Sequence, residues 1–302
     1  MKKTLPLFII LFSVSIKVSA QQVATYAQYM FNGLAINPAY AGSQDALSAS
    51  FLERFQNVGL RGAPQTETFS VHSPLVNKRV GVGFLLVHDK VGVIDQTGMN
   101  FIYAYRIPMK NNAILSLGLQ GGVSFYKADY SQLLLLQNPD PVFNQNVRQA
   151  RPNIGAGVYY YNKLGYVGLS MPSMVNNVFN TGGPTVYQNI PIIFNGGYVF
   201  TLNRMLKLRP NFLFKIMDGR TVELDVNANL LFDEVLWFGV SYKSSKTVAL
   251  LTEFQLSDQF RFGYSYQITA GPLTVADLGS HEVLLNYRFK YYKKGVVTPR
   301  YF

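Results

Sequence analysis

The chain alternates apolar and polar residues over many segments of about ten residues. In 260–268, Phe260, Phe262, Tyr264, Tyr266 and Ile268 fall on one face, with Arg261, Gly263, Ser265 and Gln267 on the other. In 221–232, Val222, Leu224, Val226, Ala228, Leu230 and Phe232 alternate with Thr221, Glu223, Asp225, Asn227 and Asn229. Leu206, Leu208, Phe212, Phe214 and Ile216 likewise oppose Lys207, Arg209, Asn211 and Lys215, and Val283, Leu285, Tyr287 and Phe289 oppose Asn286, Arg288 and Lys290. A period of two places successive side chains on opposite faces of a strand and is incompatible with a helix. Soluble strands average five or six residues, whereas a strand crossing a bilayer needs about ten. The pattern predicts about fourteen strands, near 46–56, 65–73, 80–89, 96–107, 113–127, 152–161, 164–172, 192–202, 205–216, 220–232, 235–244, 247–256, 259–269 and 281–290. The fold class is therefore all-β, a transmembrane antiparallel barrel over 46–290.

The connections alternate in length. Short turns close 161–164, 202–205, 232–235 and 256–259, while longer loops fall at 57–64, 128–151, 173–191 and 270–280. Outer-membrane barrels place short turns in the periplasm and long loops outside, so an even strand count leaves both ends of the barrel periplasmic. The tight connections at 217–219 and 245–246 fall on the extracellular side.

The start of the chain has a different pattern. Lys2 and Lys3 precede an apolar run from Leu5 to Ile16, and Val18-Ser19-Ala20 fits a small-residue cleavage site, so 1–20 reads as a signal peptide. No later segment has 18 consecutive apolar residues. Charged residues are only 14%, and 20 Tyr with 22 Phe supply most of the aromatic content. An exported chain with these features fits an outer-membrane barrel with interfacial aromatic girdles.

Charge refines the expected partners. Removing Lys2, Lys3 and Lys17 leaves 24 Lys and Arg against 16 Asp and Glu, a net charge of +8. No basic run of the kind that binds nucleic acid is present, so the excess is expected to line the lumen and to meet anionic envelope lipid and lipopolysaccharide. With no Cys there is neither a disulfide framework nor a lipid attachment site. On the inward face, Lys207, Arg209 and Lys215 are expected to meet Glu223 and Asp225 on the next strand, and Glu253 to meet Arg261 across a turn. Such a lumen ladder reads first as scaffold, with transport or gating as the second reading.

The sequence carries little that points to catalysis or metal binding. Nucleophile elbows, phosphate loops and zinc-binding helices are missing. The glycine pairs Gly81/Gly83 and Gly155/Gly157 read as strand glycines where a barrel bends. His72, His88 and His281 lie on different strands, which gives no metal set. His88 with Asp89 and His281 with Glu282, near strand ends, are the weak candidates for a catalytic pair. Trp237 reads as lumen packing or interface. No catalytic residue, metal or cofactor is expected.

Residues 21–45 lack the alternation. Tyr26, Tyr29, Met30, Phe31, Leu34 and Ile36 are apolar or aromatic, and Asn32, Gly33, Asn37, Pro38 and Gly42 form turns. The segment is too apolar to stay in water. It is expected either to plug the lower lumen, with Asn37 and the Pro38–Gly42 turn against the wall, or to dock a periplasmic partner. Tyr29, Met30, Phe31 and Asn32, followed by Asn37, Pro38, Ala39, Tyr40, Ala41 and Gly42, resemble the N-terminal motif of the PorP/SprF family of type IX secretion outer-membrane proteins. Gly33 stands where that pattern has proline. Gly81–Phe84, the loop near Asn138–Phe143 and Asn286–Lys290 fit the same family. The Asn-Pro-Ala triplet also occurs in the plug of fatty-acid-transporter-like barrels, which are similarly built of fourteen strands.

The resemblance implies a non-enzymatic secretion component of Bacteroidetes. Its implied partners are a secreted cargo or the C-terminal domain of a gliding adhesin, and periplasmic parts of the same machine. Loops 128–151 and 173–191 would face cargo, with Leu133, Leu134, Leu135 and Leu136 forming either an interface or a cover over the lumen mouth. The tail 291–302 would project into the periplasm. A diffusion channel for hydrophobic or small solutes is the alternative function.

Overall fold

In a computed structural model of the chain, the described residues are 26–75, 78–132, 146–175, 178–179, 186–187, 190–217, 221–271 and 278–289. The expected signal peptide, the leucine run 133–136 and the tail 291–302 lie outside them. The strands are β1 (Leu47–Phe55), β2 (Gln65–Pro74), β3 (Val80–Val91), β4 (Ile94–Pro108), β5 (Ile114–Ala128), β6 (Val147–Tyr161), β7 (Gly165–Met171), β8 (Val178–Phe179), β9 (Val186–Tyr187), β10 (Pro191–Tyr198), β11 (Phe200–Thr201), β12 (Leu206–Met217), β13 (Thr221–Phe232), β14 (Leu236–Lys243), β15 (Thr247–Gln255), β16 (Phe260–Thr269) and β17 (Ser280–Phe289).

Each long strand pairs antiparallel with its sequence neighbours, and two pairings close the ring: β10 with β12, and β1 with β17. The β1–β17 seam runs from Leu47↔Phe289 to Phe55↔His281. The result is a closed antiparallel barrel of 14 strands plus one extra strand, β11. The short strands β8 and β9 pair only with each other.

Period-two patterning decides which residues face which way. Phe101 (71% exposed), Leu119 (61%) and Tyr242 (55%) point outward, as do the other apolar residues of their faces. The inward positions are polar and buried: Thr66, Thr68, Ser70, Asn100, Asn211, Asn227, Ser241 and Ser265 among them. A bilayer takes the first set and an enclosed polar lumen the second.

Three strand boundaries differ from expectation. β6 begins at Val147 and pairs with β5 along its whole length, so the loop after β5 is shorter than 128–151. β4 begins at Ile94 because Gly92, at φ 59, closes a tight turn from β3. The strand expected over 192–202 breaks at Val199, which is 2% exposed and donates its N–H to the Leu164 carbonyl (2.7 Å). Its inward turn ends β10 and leaves β11 on the β12 edge.

Candidate functional site in the barrel lumen

Residues 26–44 lie inside the barrel. They form three single 3-10 turns, Tyr29–Phe31, Gly33–Ala35 and Pro38–Tyr40. Turn formers interrupt any strand period here, and the apolar side chains between them are buried in all directions. Tyr29, Met30, Phe31, Asn32, Asn37, Pro38, Ala39, Tyr40 and Gly42 are all buried.

The segment runs the height of the lumen. Its beginning meets Arg54, Thr68 and Glu282, near the ends of β1, β2 and β17 farthest from the barrel's two termini. Its end, Gly42, sits beside Pro74 and Gly81 at the termini's own end. The expected position in the lower lumen therefore describes only its second half.

Wall glycines make the seat for that half. A Cβ on Gly118 would lie 2.1 Å from the Ala39 nitrogen, and one on Gly81 would lie 2.1 Å from the Ala41 carbonyl oxygen. Gly157 and Gly168 leave room for the Asn37 amide in the same way. Gly81 and Gly157 thus admit the segment's backbone and side chains rather than bend the wall, which corrects the expectation for them. Gly155 faces the chain at Met171 and Pro172 instead.

Wall groups then bond the segment through both its backbone and its side chains. Asn37 caps its own turn by accepting from Ala39 N (2.9 Å) and donates to the Val158 carbonyl (3.0 Å). Ser170 donates to the Ile36 carbonyl (2.6 Å), and His72 Nδ1 accepts from Gly42 N (3.1 Å). Higher up, Ser70 donates to Asn32 Oδ1 (3.0 Å) and Asn227 to the Tyr29 hydroxyl oxygen (2.9 Å). Glu282, fully buried, accepts from Ala27 N (2.9 and 3.0 Å) and Gln28 N (3.2 Å).

Apolar packing follows the same division. Tyr29, Met30 and Phe31, joined by Ile36 of the lower half, cluster with Leu52, Leu213, Leu231, Trp237, Leu251 and Leu284. Leu34, Ala39 and Tyr40 cluster with Leu85, Ile102, Tyr159 and Tyr166 on the opposite wall. Between them remains a water-sized void of about 10 Å³ lined by Tyr29, Met30, Gly33, Asn37, Tyr40, Tyr159, Tyr166 and Asn195.

The expected charge ladder resolves into separate contacts. Lys215 meets Glu223 at 2.8 Å and Arg261 meets Glu253 at 3.2 Å. Lys207 bonds Glu234 in the β13–β14 turn, not Glu223 or Asp225. Asp225 lies opposite Leu213 on β12 and faces Lys243 (4.0 Å) and Ser241 (2.5 Å) on β14. Arg209 lies opposite Asn229, with its guanidinium 4.5 Å from the Phe31 ring centre and 4.1 Å from that of Trp237. Arg209 therefore joins the wall to the segment by cation–π contact.

The two candidate catalytic pairs do not come together. Neighbours on a strand point to opposite faces, so Asp89 turns into the lumen to accept from Thr66 (2.6 Å), while His88 turns outward to Thr97 (2.9 Å). Glu282 likewise points inward, and His281 meets Tyr264 outside (2.7 Å). Among the described residues no group of His, Cys, Asp and Glu forms a metal site.

Sequence reading alone missed Gly118, Gly168, Ser170, His72 and Glu282 as contacts of this segment. Small or polar residues at inward positions were the available signal, but nothing in the linear order tied them to residues 26–44.

Comparison with known proteins agrees with this architecture. Among solved structures, the CymD monoaromatic hydrocarbon channel superposes with a TM-score of 0.54 at 12% identity, covering 86% of this chain and 93% of that one. The outer membrane protein Omp33 of Acinetobacter baumannii matches with a TM-score of 0.47 at 7% identity, over 81% of this chain and 98% of that one. No curated protein matches the chain. The family model described as type IX secretion system membrane protein PorP/SprF matches residues 18–287. The match spans nearly the whole barrel together with the segment that fills it, and the chain belongs to the PorP/SprF family of type IX secretion system membrane proteins.

Proposed function

We propose that this chain is a non-enzymatic outer-membrane component of the type IX secretion system, needed for export or surface anchoring of cargo such as gliding adhesins. The family match over residues 18–287 carries this reading. The lumen fits it: a polar bore of this width would conduct unless filled, and residues 26–44 fill it with buried, hydrogen-bonded chain. In this reading the segment is a plug that seals the barrel while extracellular loops or periplasmic surfaces engage the secretion partners. Its partners are the secreted cargo or an adhesin C-terminal domain, periplasmic components of the machine, and envelope lipid and lipopolysaccharide. A signal peptide over 1–20 would export the chain across the inner membrane, from which side the barrel enters the outer membrane.

The deciding experiment removes the gene and compares the cell surface. Loss of one or a few surface proteins, restored by the full chain, is the expected result; an unchanged surface proteome together with no secretion component co-purifying with the tagged protein would refute the reading. The likeness to the CymD hydrocarbon channel favours a second reading, a diffusion channel for hydrophobic or small solutes. Solute-dependent growth defects with intact protein export would select it. Planar-bilayer recording of a chain lacking 21–44 tests the plug: a large open conductance is expected, and unchanged conductance sinks it.

A further inference from the structure

We propose that the plug is built in two parts, and that Glu282 is the catch holding its upper part, residues 26–31, against the wall while the lower part, residues 33–42, stays seated. The inference rests on reading residues 26–44 as a plug.

The two parts are held differently. The lower part sits in space left by Gly81, Gly118, Gly157 and Gly168, and it continues directly into β1. Shape and covalent continuity both keep it in place. The upper part has one such seat at a side chain, Gly263, whose Cβ would lie 2.4 Å from Gln28 Oε1, and among the described residues none at its backbone like that of Ala39. Its first residues are held by the Tyr26–Thr68 hydroxyl pair (2.6 Å) and, at the Ala27 and Gln28 N–H groups, by a single carboxylate. Glu282 takes the N–H groups of Ala27 and Gln28, and its own carbonyl accepts from the Gln28 amide (3.4 Å). The same carboxylate is set in place by Gln267 (2.8 Å) and by Arg54 (3.3 Å). Gln267 in turn accepts from Lys243 (3.5 Å), which faces Asp225. Four strands, β1, β14, β16 and β17, thus converge on the point where the plug's upper end is bound.

Asn32, at φ −129 and ψ 62, joins the two parts as the cap of both turns, its N–H donating to the Tyr29 carbonyl (3.2 Å) and its carbonyl accepting from Ala35 N (3.2 Å). The upper part packs in one apolar cluster and the lower part mainly in another on the opposite wall, with Ile36 of the lower part joining the first. Buried N–H groups without acceptors are costly. Removing the Glu282 charge therefore weighs on the upper part and on the Arg54 and Gln267 contacts of the wall, and touches none of the hydrogen bonds described for the lower part. A ligand or partner that draws on Arg54 or Gln267 would act on the same catch.

The chain contains no Cys, so single cysteines report position cleanly. Ala27→Cys and Ala39→Cys are placed separately in the full-length protein, since both positions are fully buried. Each is labelled with a membrane-impermeant maleimide, with and without Glu282→Gln. Glutamine keeps the shape but offers one oxygen and no charge where the carboxylate's two oxygens serve Ala27, Gln28, Gln267 and Arg54. The expected result is labelling of Cys at 27 at least about tenfold faster in Glu282→Gln, with the rate at 39 unchanged. The lone Trp237, whose ring centre is 6.2 Å from that of Phe31, should shift its emission to the red in the same variant.

Equal protection at 27 with and without Glu282→Gln overturns the proposal. So does parallel exposure at 27 and 39, which would mean that the plug moves as one body. Heat-dependent gel mobility confirms barrel assembly in each variant. Should Glu282→Gln not assemble, Gln267→Leu replaces it, with labelling at 27 expected to rise about threefold and no rise counting against the catch. An open conductance on deleting 21–44 with no effect of Glu282→Gln would keep the plug and reject the catch; a silent deletion would reject the plug itself.

Discussion

At the scale of single residues, the lumen separates positions read by pattern from positions read by contact. Lys215 and Glu223 were legible in the sequence. A tight turn and strict alternation place them opposite one another, and they meet at 2.8 Å. Arg209 was legible only as inward; its partners Phe31 and Trp237 come from a segment 178 and a strand 28 positions away, by subtraction of their residue numbers. Glycines show the contrast most directly. Gly118 reads as an ordinary strand glycine until the Ala39 nitrogen is found where its Cβ would be. Gly118→Val should therefore leave the barrel able to assemble but destabilise the plugged state by about 1–3 kcal/mol, the usual cost of overpacking. Urea titration in bilayers would check it, and an unchanged midpoint would mean that the seat yields freely.

At the scale of elements, each strand serves two solvents. β4 carries Met99, Phe101, Tyr103 and Tyr105 outward and Asn100, Ile102, Ala104 and Arg106 inward. The faces were legible because the strand period is two; the ends were not, because they depend on neighbours. β6 extends to Val147 because β5 offers a partner along that length, and β10 stops where Val199 turns in. The lipid-facing row makes a depth-dependent prediction. Phe101→Arg, in the middle of β4, should cost about 2–4 kcal/mol, whereas Phe55→Arg, at the rim end of β1, should cost about 0–1 kcal/mol. Folding titrations in bilayers measure both, and equal costs would contradict this placement in the membrane. The same period explains why His281 and Glu282 have separate roles: adjacent residues on β17 address lipid and lumen.

At the scale of the molecule, the barrel is closed by β1 and β17, which are the first and last of its strands. Ser50 lies opposite Asn286 across that seam, and the Asn286 amide donates to the Ser50 hydroxyl oxygen (2.8 Å). Ser50→Cys with Asn286→Cys should therefore form a disulfide on oxidation, with no other thiol to compete. A shift in non-reducing gel mobility reports it, and no cross-link in assembled protein would argue against the seam. By itself the sequence determined the barrel, its strand number, its two faces and its family motif, because alternation and turn chemistry are local and survive in one dimension. The tertiary structure alone decided that residues 26–44 run the full height of the lumen, that wall glycines seat their lower half, and that Glu282 grips their upper end. Those contacts join positions as far apart as Ala27 and Glu282, and only ring closure brings such positions within hydrogen-bonding distance.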